Sequence, residues 1–446
     1  MKFRLPHPLI LLVGCIAFAA ILTHVLPAGQ YDRRDDPVTG RSVVVAGSYK
    51  HVDPKPLSFF DTLVAIPKGM LSAGSVIYFV MLVGGAFTVV DKTGALQVLM
   101  DALVSTLSGH SLLVLPVVSI AFATGGAIEN MQEEILAFVP LLMLLMRRLG
   151  FRPVVGIAAS LGSAIVGSAF SPINPFQVGI AQKVAGLPLL SGWAFRLATL
   201  VAALTVWIAW TIRWASRTRV RAESGDARGP VVSMRRQMLV LTSVGAAFVL
   251  LIIGVSRWDW DFDQLSGLFF LMGVIAGIVG GLGAEGTAEG FVDGFRGMAY
   301  AAMLIGFARA IFVVMDEGRV VDTIVNALFT PLSHLPVAAS ATGMIAAHAI
   351  IHIPVPSVSG HAVLTMPLLI PLSDLLGLSR QVTVLAYQVG AGLCELITPT
   401  NGAVVAMIAA AGLKYEEWLA FVTPIYAILM LFGAAMVSTA IAIGWR

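Results

Sequence analysis

Long apolar runs, separated by short polar segments, make up most of the chain. Two of them, 154–182 and 381–412, are longer than a bilayer needs, and each contains a polar interruption. Two pairs of shorter runs, 111–148 and 337–376, each meet at a polar elbow. Seven uninterrupted runs have roughly the 20 residues of a membrane helix, namely 8–28, 73–90, 193–212, 237–256, 264–283, 299–315 and 419–442.

These runs predict nine full crossings and two re-entrant hairpins. The hairpin arms are short for a crossing, and their elbows at 125–134 and 354–361 are rich in Gly, Pro, Ser and Asn. Irregular backbone is tolerated at membrane depth only inside protein. We expect 29–57 to be an external loop. Amphipathic segments expected along the membrane interface lie near 58–70, 92–108, 285–298 and 316–334.

The two interruptions carry related motifs. Ser171-Pro172-Ile173-Asn174-Pro175 returns as Thr398-Pro399-Thr400-Asn401-Gly402. Proline removes a backbone donor and glycine loosens the chain, so each motif should break its helix. Paired broken helices are typical of a transporter's binding site. A duplicated unit is predicted, because landmarks recur at separations of 225 to 227 residues: Asp91 and Asp316, Pro140 and Pro367, Asn174 and Asn401, Trp193 and Trp418, and Phe195 and Phe421.

Positive charge predicts the orientation. Lys2 and Arg4 precede the first run, and arginines follow the first hairpin and fill the loop at 214–236. Placing all of them in the cytoplasm satisfies the positive-inside rule and inverts one half relative to the other. The loop has no aromatic residues between its charges, which favours this role over nucleic-acid binding. The division is a first inverted repeat at 1–212, a basic cytoplasmic linker with a connecting helix at 213–263, and a second inverted repeat at 264–446.

Composition supports the same class. Of the residues, 58% are apolar and 12% are charged, and the mean hydropathy is +0.89. A soluble globular chain carries about 25% charged residues, so we predict an all-α integral membrane protein. The N-terminal run lacks a convincing cleavage site and is interpreted as a retained first helix. Cys15 and Cys394 each stand isolated in an apolar run, so neither a disulfide framework nor a cysteine metal site is supported.

The first elbow carries three carboxylates, Glu129, Glu133 and Glu134, beside Asn130. Charge near the middle of a membrane is expensive, so these groups should face a hydrated cavity or a partner cation. The alternative is an elbow closer to the surface, where the carboxylates are simply solvated. Glu129 and Glu133 are four residues apart and are expected to share one helix face.

The second half offers different chemistry. Ser357 and Ser359, in the second elbow, supply oxygen ligands that suit a sodium ion. Glu395 precedes Thr398 by about one turn and could bind a proton, pair with a substrate amine or neutralise a cation. Arg309 stands alone in an apolar run. Its planar guanidinium could receive a substrate carboxylate or form a fixed ion pair with a glutamate.

Two histidines, His348 and His352, share a spacing with zinc sites. Ala349 occupies the place of the glutamate in the His-Glu-x-x-His motif, so a hydrogen-bonded packing role is favoured. The chain has no phosphate-cradling glycine motif, which leaves ATP-driven transport without support.

The motifs of both elbows and both breaks resemble those of four-carbon dicarboxylate anaerobic carriers and basic amino-acid antiporters, within the wider ion transporter superfamily. The resemblance covers nearly the whole chain. It is carried by Gly125-Gly126, Glu133-Glu134, Phe138-Val139-Pro140, Ser171-Pro172-Ile173-Asn174-Pro175-Phe176, Pro356-Ser357-Val358-Ser359-Gly360, Arg380-Gln381 and Leu396-Ile397-Thr398-Pro399-Thr400.

The resemblance implies a homodimer with a scaffold and a mobile transport region, working by an elevator-like movement. It also implies that substrate is held between the elbows and the breaks. Typical members have an aspartate, an asparagine and a glycine where this chain has Ala391, Glu395 and Asn130, so substrate identity stays open. The resemblance assigns the site to Glu133, Glu134, Ser171, Asn174, Ser357, Ser359, Thr398 and Asn401.

These observations predict a secondary transporter of the bacterial inner membrane, surrounded by lipid, with its N-terminus in the cytoplasm. An amino acid is favoured as substrate, because glutamates outnumber the single arginine. A four-carbon dicarboxylate or short organic acid is the alternative. Expected substrate-binding residues are Glu133, Glu134, Asn130, Asn174, Ser171, Ser357, Ser359, Thr398, Asn401, Glu395 and Arg309.

The coupling ion is left open between sodium and protons. A sodium ion could bind at Ser171, Asn174, Thr398 and Asn401. No organic cofactor and no enzymatic activity are expected. Two other classes stay open: an ion channel built on the same broken helices, and an intramembrane hydrolase that uses His348, His352 or Ser359.

Overall fold

Helices make up nearly all of the described chain. The computed structural model describes residues 7–36, 41–107, 111–222, 233–258 and 260–445. Lys2, Arg4 and Arg228, which contribute to the predicted orientation, lie outside the described residues, as do residues 223–232 of the predicted linker. The helices of the first half are α1 (Pro8–Val25), α2 (Phe59–Ser72), α3 (Gly74–Lys92), α4 (Ala95–Leu107), α5 (Val114–Glu129), α6 (Val139–Arg148), α7 (Pro153–Ile157), α8 (Ser163–Ala169), α9 (Ile180–Val184) and α10 (Trp193–Arg217).

The second half continues the same pattern. Its helices are α11 (Met234–Trp258), α12 (Phe262–Val279), α13 (Gly283–Glu317), α14 (Val321–Phe329), α15 (Val337–His352), α16 (Val358–Leu375), α17 (Arg380–Tyr387), α18 (Gly402–Ala410) and α19 (Tyr415–Ala442). Short 3₁₀ turns extend some of these helices: Ser111–Leu113, Glu133–Phe138 and Thr330–His334.

Nine helices among the described residues are long and apolar enough to cross a membrane. Seven of them coincide with the predicted uninterrupted runs. The other two are single arms of the predicted hairpins, Ser111–Glu129 and Val358–Leu375. The expectation that every arm is too short was therefore wrong, because polar residues near the elbows still lie within the helices.

One predicted boundary is also wrong. The interface segment 285–298 and the membrane run 299–315 belong to a single helix, α13, which has 35 residues. No proline interrupts it, and it packs along α2, α3, α12 and α18. Gly294 lies against the backbone of Gly84 and Gly85 on α3, so small residues let these two helices approach closely. Tertiary packing thus extends the helix through its more polar first half.

The predicted external loop at 29–57 contains two small antiparallel ribbons. β1 (Gly29–Gln30) pairs with β4 (Lys50–His51), and β2 (Arg33–Asp36) pairs with β3 (Arg41–Val44). Because these strands are short and charged, they lack the apolar alternation that would have predicted them. Asp322 on α14 anchors the ribbons: it accepts hydrogen bonds from the Tyr31 amide at 2.9 Å and from the Arg33 guanidinium at 2.8 Å.

The helix is interrupted at both repeated motifs, as the sequence predicts. In the first, α7 continues through a π-helical turn (Ala158–Gly162) into α8, and helix resumes at Pro175 as a second π-helical turn (Pro175–Gly179). In the second, α17 continues through a π-helical turn (Gln388–Gly392), and helix resumes at Gly402 as α18. An asparagine immediately precedes each resumed helix.

The first elbow is a tight reversal next to α8. Helix α5 ends at Glu129 because Asn130 adopts a left-handed conformation with φ of 56°. Glu129 and Glu133 therefore lie on different elements, and the prediction that they share a helix face was wrong. Gly126 lies against the backbone of Ala164, and Gly167 lies against the backbone of Ala123, so α5 and α8 pack almost backbone to backbone.

Candidate functional site

The elbows and the second break enclose a small polar cavity. Its volume is about 230 Å³. A neighbouring cavity of about 150 Å³ shares Glu133, Arg309, Pro356 and Gly402 with it. We call the first of these the central cavity. Its lining is Asn130, Gln132, Glu133, Phe176, Arg309, Pro356, Ser357, Val358, Ser359, Glu395, Asn401 and Gly402.

Gln132 connects the first elbow to the second break. Its side chain is buried, its amide Nε2 donates to the Glu395 carboxylate, and its Oε1 accepts from Asn401 Nδ2 at 3.4 Å. This single side chain therefore ties the first elbow to both an acidic and an amide group of the second break. Sequence reasoning missed it, because a lone glutamine among glutamates gave no distinguishing signal.

Asn130 explains how the elbow tolerates a residue other than glycine. Asparagine is among the few non-glycine residues that visit the left-handed region routinely. Its side-chain oxygen also accepts a hydrogen bond from the Ser168 hydroxyl. The departure from the family pattern at this position is thus compatible with the backbone and adds a polar group to the cavity wall.

The carboxylates of the elbow have separate environments. Glu133 is partly buried and lines both cavities. Glu134 accepts a hydrogen bond from the backbone amide of Gln132 at 3.1 Å and does not line the central cavity. Glu129 does not line it either. Glu395, at 5% exposure, faces the cavity from the second break. Two carboxylates, rather than the four considered from sequence, therefore reach the lining.

Arg309 is the cationic member of the lining. Its Nε donates to the Ser72 hydroxyl at 3.1 Å, and its guanidinium lies over the Phe312 ring at 5.0 Å. Among the described residues, no carboxylate lies within ion-pair distance of it. The guanidinium therefore keeps donors free on the cavity side in this conformation.

The second elbow contributes hydroxyls and a helix start. Ser357 caps α16 by accepting a hydrogen bond from the Gly360 amide at 3.3 Å. Both Ser357 and Ser359 line the central cavity. The amides at the start of α16 carry partial positive charge, so this wall favours an anionic group.

The first break is closed to the cavity. Ser171 donates to the Ala127 carbonyl at 2.6 Å and accepts from the amides of Ile173 and Asn174. Asn174 is fully buried, and its amide Nδ2 donates to the Gly126 carbonyl at 2.8 Å. Neither side chain lines the central cavity, and Phe176 is the residue of this segment that does.

Thr398 is likewise buried and does not line the central cavity, and its hydroxyl lies 3.1 Å from the Cys394 sulfur. Of the four residues predicted to hold sodium, Asn401 alone lines this cavity. Within the described residues, no cluster of three His, Cys, Asp or Glu side chains is arranged to hold a metal ion. The sodium site stays a prediction.

A buried arginine supports the site from behind, and sequence reasoning missed it. Arg196 on α10 is fully buried and donates to Gln388 Oε1 at 2.7 Å and Gln381 Oε1 at 2.9 Å. Gln388 in turn donates to the Ser171 carbonyl at 2.8 Å. Arg196 therefore ties the second broken helix to the first break. Its isolation in an apolar run was the available signal.

The histidines pack as a buried group beside Glu395. His348 Nδ1 lies 2.8 Å from His361 Nε2. Neither ring nitrogen of His352 has a hydrogen-bond partner among the described residues, so the hydrogen-bonded role expected for both histidines applies to His348 alone. His352 Nε2 lies 3.8 Å from a carboxylate oxygen of Glu395. The serine of the second elbow, Ser359, lies in the central cavity, and the three rings do not line it.

Interrupted helices around a small polar cavity, within a nearly all-helical chain of many apolar spans, define a multi-pass integral membrane protein with a solute-sized site. The chain belongs to the C4-dicarboxylate anaerobic carrier family, DcuC, which it matches over residues 5–442. This is a bacterial membrane transporter family, and membership agrees with the resemblance noted in the elbow and break motifs.

Relatives extend the comparison. A protein of Escherichia coli (strain K12), named "Putative basic amino acid antiporter YfcC", is 30% identical over 495 aligned residues, which cover 100% of this chain and 98% of that protein. A protein of Haemophilus influenzae, named "Uncharacterized protein", is 28% identical over 418 residues, which cover 90% of this chain and 82% of that protein. The crystal structure of the Alcanivorax borkumensis YdaH transporter has a TM-score of 0.46 at 18% identity and covers 99% of both chains.

Proposed function

We propose that the chain is a secondary transporter or exchanger of a small carboxylate-bearing metabolite, with an amino acid as the favoured substrate. The observation that carries this proposal is the mixed charge of the central cavity. Arg309 supplies an unpaired cation, while Glu133 and Glu395 supply carboxylates on other walls. A zwitterion presents the complementary pair of charges, so both of its ends find partners.

The binding mode follows from the lining. The substrate carboxylate is received by the free donors of Arg309, which can bind an oxygen pair in the plane of the guanidinium. The start of α16 at Ser357 adds partial positive charge to the same region. The substrate amine is received by Glu133, with Glu395 behind it. The E. coli relative carries the name "Putative basic amino acid antiporter YfcC", which fits this substrate class.

Access is proposed from the side of the β-ribbons. A larger cavity of about 380 Å³ shares Arg309, Pro356 and Ser357 with the central cavity and extends to Gly29 and Arg33. With the N-terminus in the cytoplasm, the ribbons lie outside, so this conformation faces outward. Inverted repeats, the two re-entrant hairpins and an elevator-like movement of the elbows and breaks against a dimeric scaffold complete the transport model in the bacterial inner membrane.

A four-carbon dicarboxylate is the second candidate. It is favoured by the three arginines around the larger cavity, Arg33, Arg309 and Arg319, and by the description of the family. Arg33 is already paired with Asp322 at 2.8 Å, however. The two carboxylates of the central cavity would also repel a doubly negative substrate, which is why the amino acid is preferred.

Counterflow in proteoliposomes tests the proposal. Liposomes are preloaded with basic, neutral or acidic amino acids, or with four-carbon dicarboxylates, and uptake of labelled substrate is measured with and without sodium. Saturable exchange of an amino acid is expected. Exchange of dicarboxylates alone would exclude the amine-binding role of the glutamates, and conductance without saturation would indicate a channel.

Matched variants identify the two ends of the substrate. Arg309→Gln should weaken substrate binding about 10-fold to 100-fold, as loss of a charged hydrogen bond does. Ser72→Ala serves as control, because it removes only the hydroxyl that contacts Arg309. Glu133→Gln should weaken an amino acid substrate but not a dicarboxylate. Equal binding by wild type and Arg309→Gln would overturn the carboxylate site.

A further inference from the structure

A group of three buried imidazoles lies outside the central cavity and has no part in the binding mode described above. His348 and His352 come from α15, and His361 comes from the first turns of α16. All three residues are fully buried. We call them the histidine cluster. Lone core histidines usually find hydrogen-bond partners for both ring nitrogens, because burying an unpaired polar atom is unfavourable.

Most ring nitrogens of the cluster lack such partners. His348 Nδ1 and His361 Nε2 share one hydrogen bond of 2.8 Å. Within the described part of the chain, His348 Nε2, His361 Nδ1 and both nitrogens of His352 have none. A cluster built only for packing would satisfy these atoms or replace them with apolar groups. Their presence therefore points to a ligand that imidazole nitrogens take up.

The cluster is arranged in a row that ends at the central cavity. The His361 and His352 rings are nearly parallel, with centroids 5.8 Å apart and an interplanar angle of 24°. His352 Nε2 lies 3.8 Å from a carboxylate oxygen of Glu395, so a small rotation of the ring closes a hydrogen bond. Glu395 lines the cavity and accepts from Gln132. The row thus connects buried imidazoles to a carboxylate at the substrate site.

Within the described residues, the three histidines are not arranged to hold a metal ion, which leaves a proton as the ligand that fits them. Tyr387 packs on His348 and His361, with ring centroids at 5.3 Å and 5.7 Å, but its hydroxyl donates to the Val358 carbonyl at 2.6 Å. Phe329 on α14 covers His348 with its centroid at 5.5 Å. The Cys394 thiol is engaged by the Ala349 carbonyl. Glu395 is therefore the nearest carboxylate to the row, with Glu133 and Arg309 beyond it in the cavity lining.

We propose that the histidine cluster carries the coupling proton of transport to and from Glu395. The inference rests on the proposed transport function and adds the identity of the coupling ion. Each neutral imidazole has one N–H and one lone pair, so a proton accepted at His348 Nε2 releases the proton on Nδ1 to His361 Nε2. The His361 and His352 rings are not hydrogen-bonded to each other in this conformation, so one ring must turn before the Nδ1 proton of His361 passes to His352 Nδ1. His352 then releases its Nε2 proton to Glu395. The first transfer takes its proton from a hydronium ion, so one O–H bond breaks as the Nε2–H bond of His348 forms. Each later transfer forms one N–H or O–H bond and breaks one N–H bond, and charge moves as a single proton.

Protonation of Glu395 links the row to the substrate. The charged carboxylate holds Gln132 and contributes negative charge to the central cavity. Once protonated, it no longer attracts a substrate amine, so a proton on Glu395 and a substrate amine in the cavity exclude each other. Exchange of one substrate molecule for another then needs no proton, whereas net transport moves one. Chains of histidine and carboxylate groups inside membranes are used for this purpose.

The test compares exchange with proton movement in the same proteoliposomes. His361→Gln keeps a polar atom near the Nε2 position, and His348→Asn keeps one near the Nδ1 position, but neither side chain can be protonated. Counterflow should stay within about twofold of wild type, while the substrate-driven change in internal pH, reported by an enclosed pH dye, should fall at least about tenfold. Phe329→Leu, which removes only the ring that covers His348, should retain both activities.

The outcomes separate the two proposals. If wild-type protein shows no counterflow of any candidate, the proposed function fails. If wild type exchanges substrate but moves no protons, the histidine proposal fails, and this holds even if the variants do not fold. Full proton movement in both histidine variants would overturn it, as would parallel loss of counterflow and proton movement in folded variants.

Discussion

The two breaks share a motif and a local geometry, yet they differ in what they leave available. Asn174 and Asn401 both cap a resumed helix. Asn174 accepts from the amides of Phe176 and Gln177 at 2.9 Å each and donates to Gly126 and Ser168, at 0% exposure. Asn401 accepts one capping bond from Val404 at 3.2 Å and donates weakly to Gln132, at 7% exposure.

The first break is therefore closed to a ligand, whereas the second break is open to the central cavity. The first break is short, and α5 packs against it so closely that the side chains of Ser171 and Asn174 are fully buried and hydrogen-bonded. The second break is longer, running over 395–401, and it opens onto the central cavity. Repetition of a motif therefore indicates equal backbone behaviour, but not equal access to ligand. We expect the first break to matter for stability and the second for binding.

The largest effect is expected where both breaks are held together. Arg196→Met should remove the donors to Gln381 and Gln388 and leave two buried oxygens unpaired. Each unpaired group costs about 1–3 kcal/mol, so a loss of about 3 kcal/mol or more is expected. Thermal unfolding in detergent measures it. Arg196→Lys, which keeps the charge but not the planar fork, should lose less, and equal stability of wild type and Arg196→Met would show that the link is unimportant.

Asn174→Ala should have the next largest effect on stability. It removes a helix cap, for about 1 kcal/mol, and one of the two donors to the buried Gly126 carbonyl, for about 0.5–1.5 kcal/mol; that carbonyl keeps its hydrogen bond from the Asn130 backbone amide at 3.0 Å. Protein that folds should bind substrate almost normally. Asn174→Asp, which keeps the capping oxygen, should recover part of the loss. A change in substrate affinity without a change in melting temperature would contradict the assignment of this break as structural.

Asn401→Ala should show the reverse pattern. Its cap is weaker and its donor bond is long, so the stability loss should stay near 1 kcal/mol. Substrate affinity should fall about tenfold, because a polar group is lost from the cavity wall. Counterflow KM and melting temperature are measured together. If Asn401→Ala and Asn174→Ala behaved alike in both measurements, the proposed division between the breaks would be wrong.

Asn130→Gly should have the smallest effect. Glycine relieves a left-handed residue, for about 1 kcal/mol, while loss of the hydrogen bond with Ser168 costs about the same. Stability should change by less than about 0.5 kcal/mol. Asn130→Ala is the matched variant, since it loses the hydrogen bond without gaining backbone freedom, and it should be clearly less stable. A glycine variant as unstable as the alanine variant would exclude relief of the backbone at this turn.

Local rules were sufficient for much of the fold. Apolar runs of adequate length predicted seven of the membrane-length helices, and the proline and glycine residues of the repeated motifs predicted both breaks. The continuous helix α13 was not predictable, because its polar first half is helical through packing on α3. The ribbons before α2 were missed because strands of this size carry no periodic signal and depend on Asp322, almost 300 residues away.

The candidate site was predicted less evenly. Seven of the eleven proposed residues line the central cavity, namely Asn130, Glu133, Arg309, Ser357, Ser359, Glu395 and Asn401. Glu134, Ser171, Asn174 and Thr398 do not. Residue type indicated which side chains can bind a charged solute. Residue type did not indicate which of these side chains are already hydrogen-bonded to other groups of the protein.

By itself, the sequence determined that this protein is helical, membrane-spanning and built around two matching interruptions, because hydrophobic length and proline act locally on the backbone. Tertiary structure alone decided that Asn174 is enclosed while Asn401 faces the cavity, that Gln132 joins the first elbow to Glu395, and that three histidines meet beside it. These features depend on contacts between segments far apart in the chain, where hydrogen-bond partners and close packing select one arrangement from many that the same residues could make.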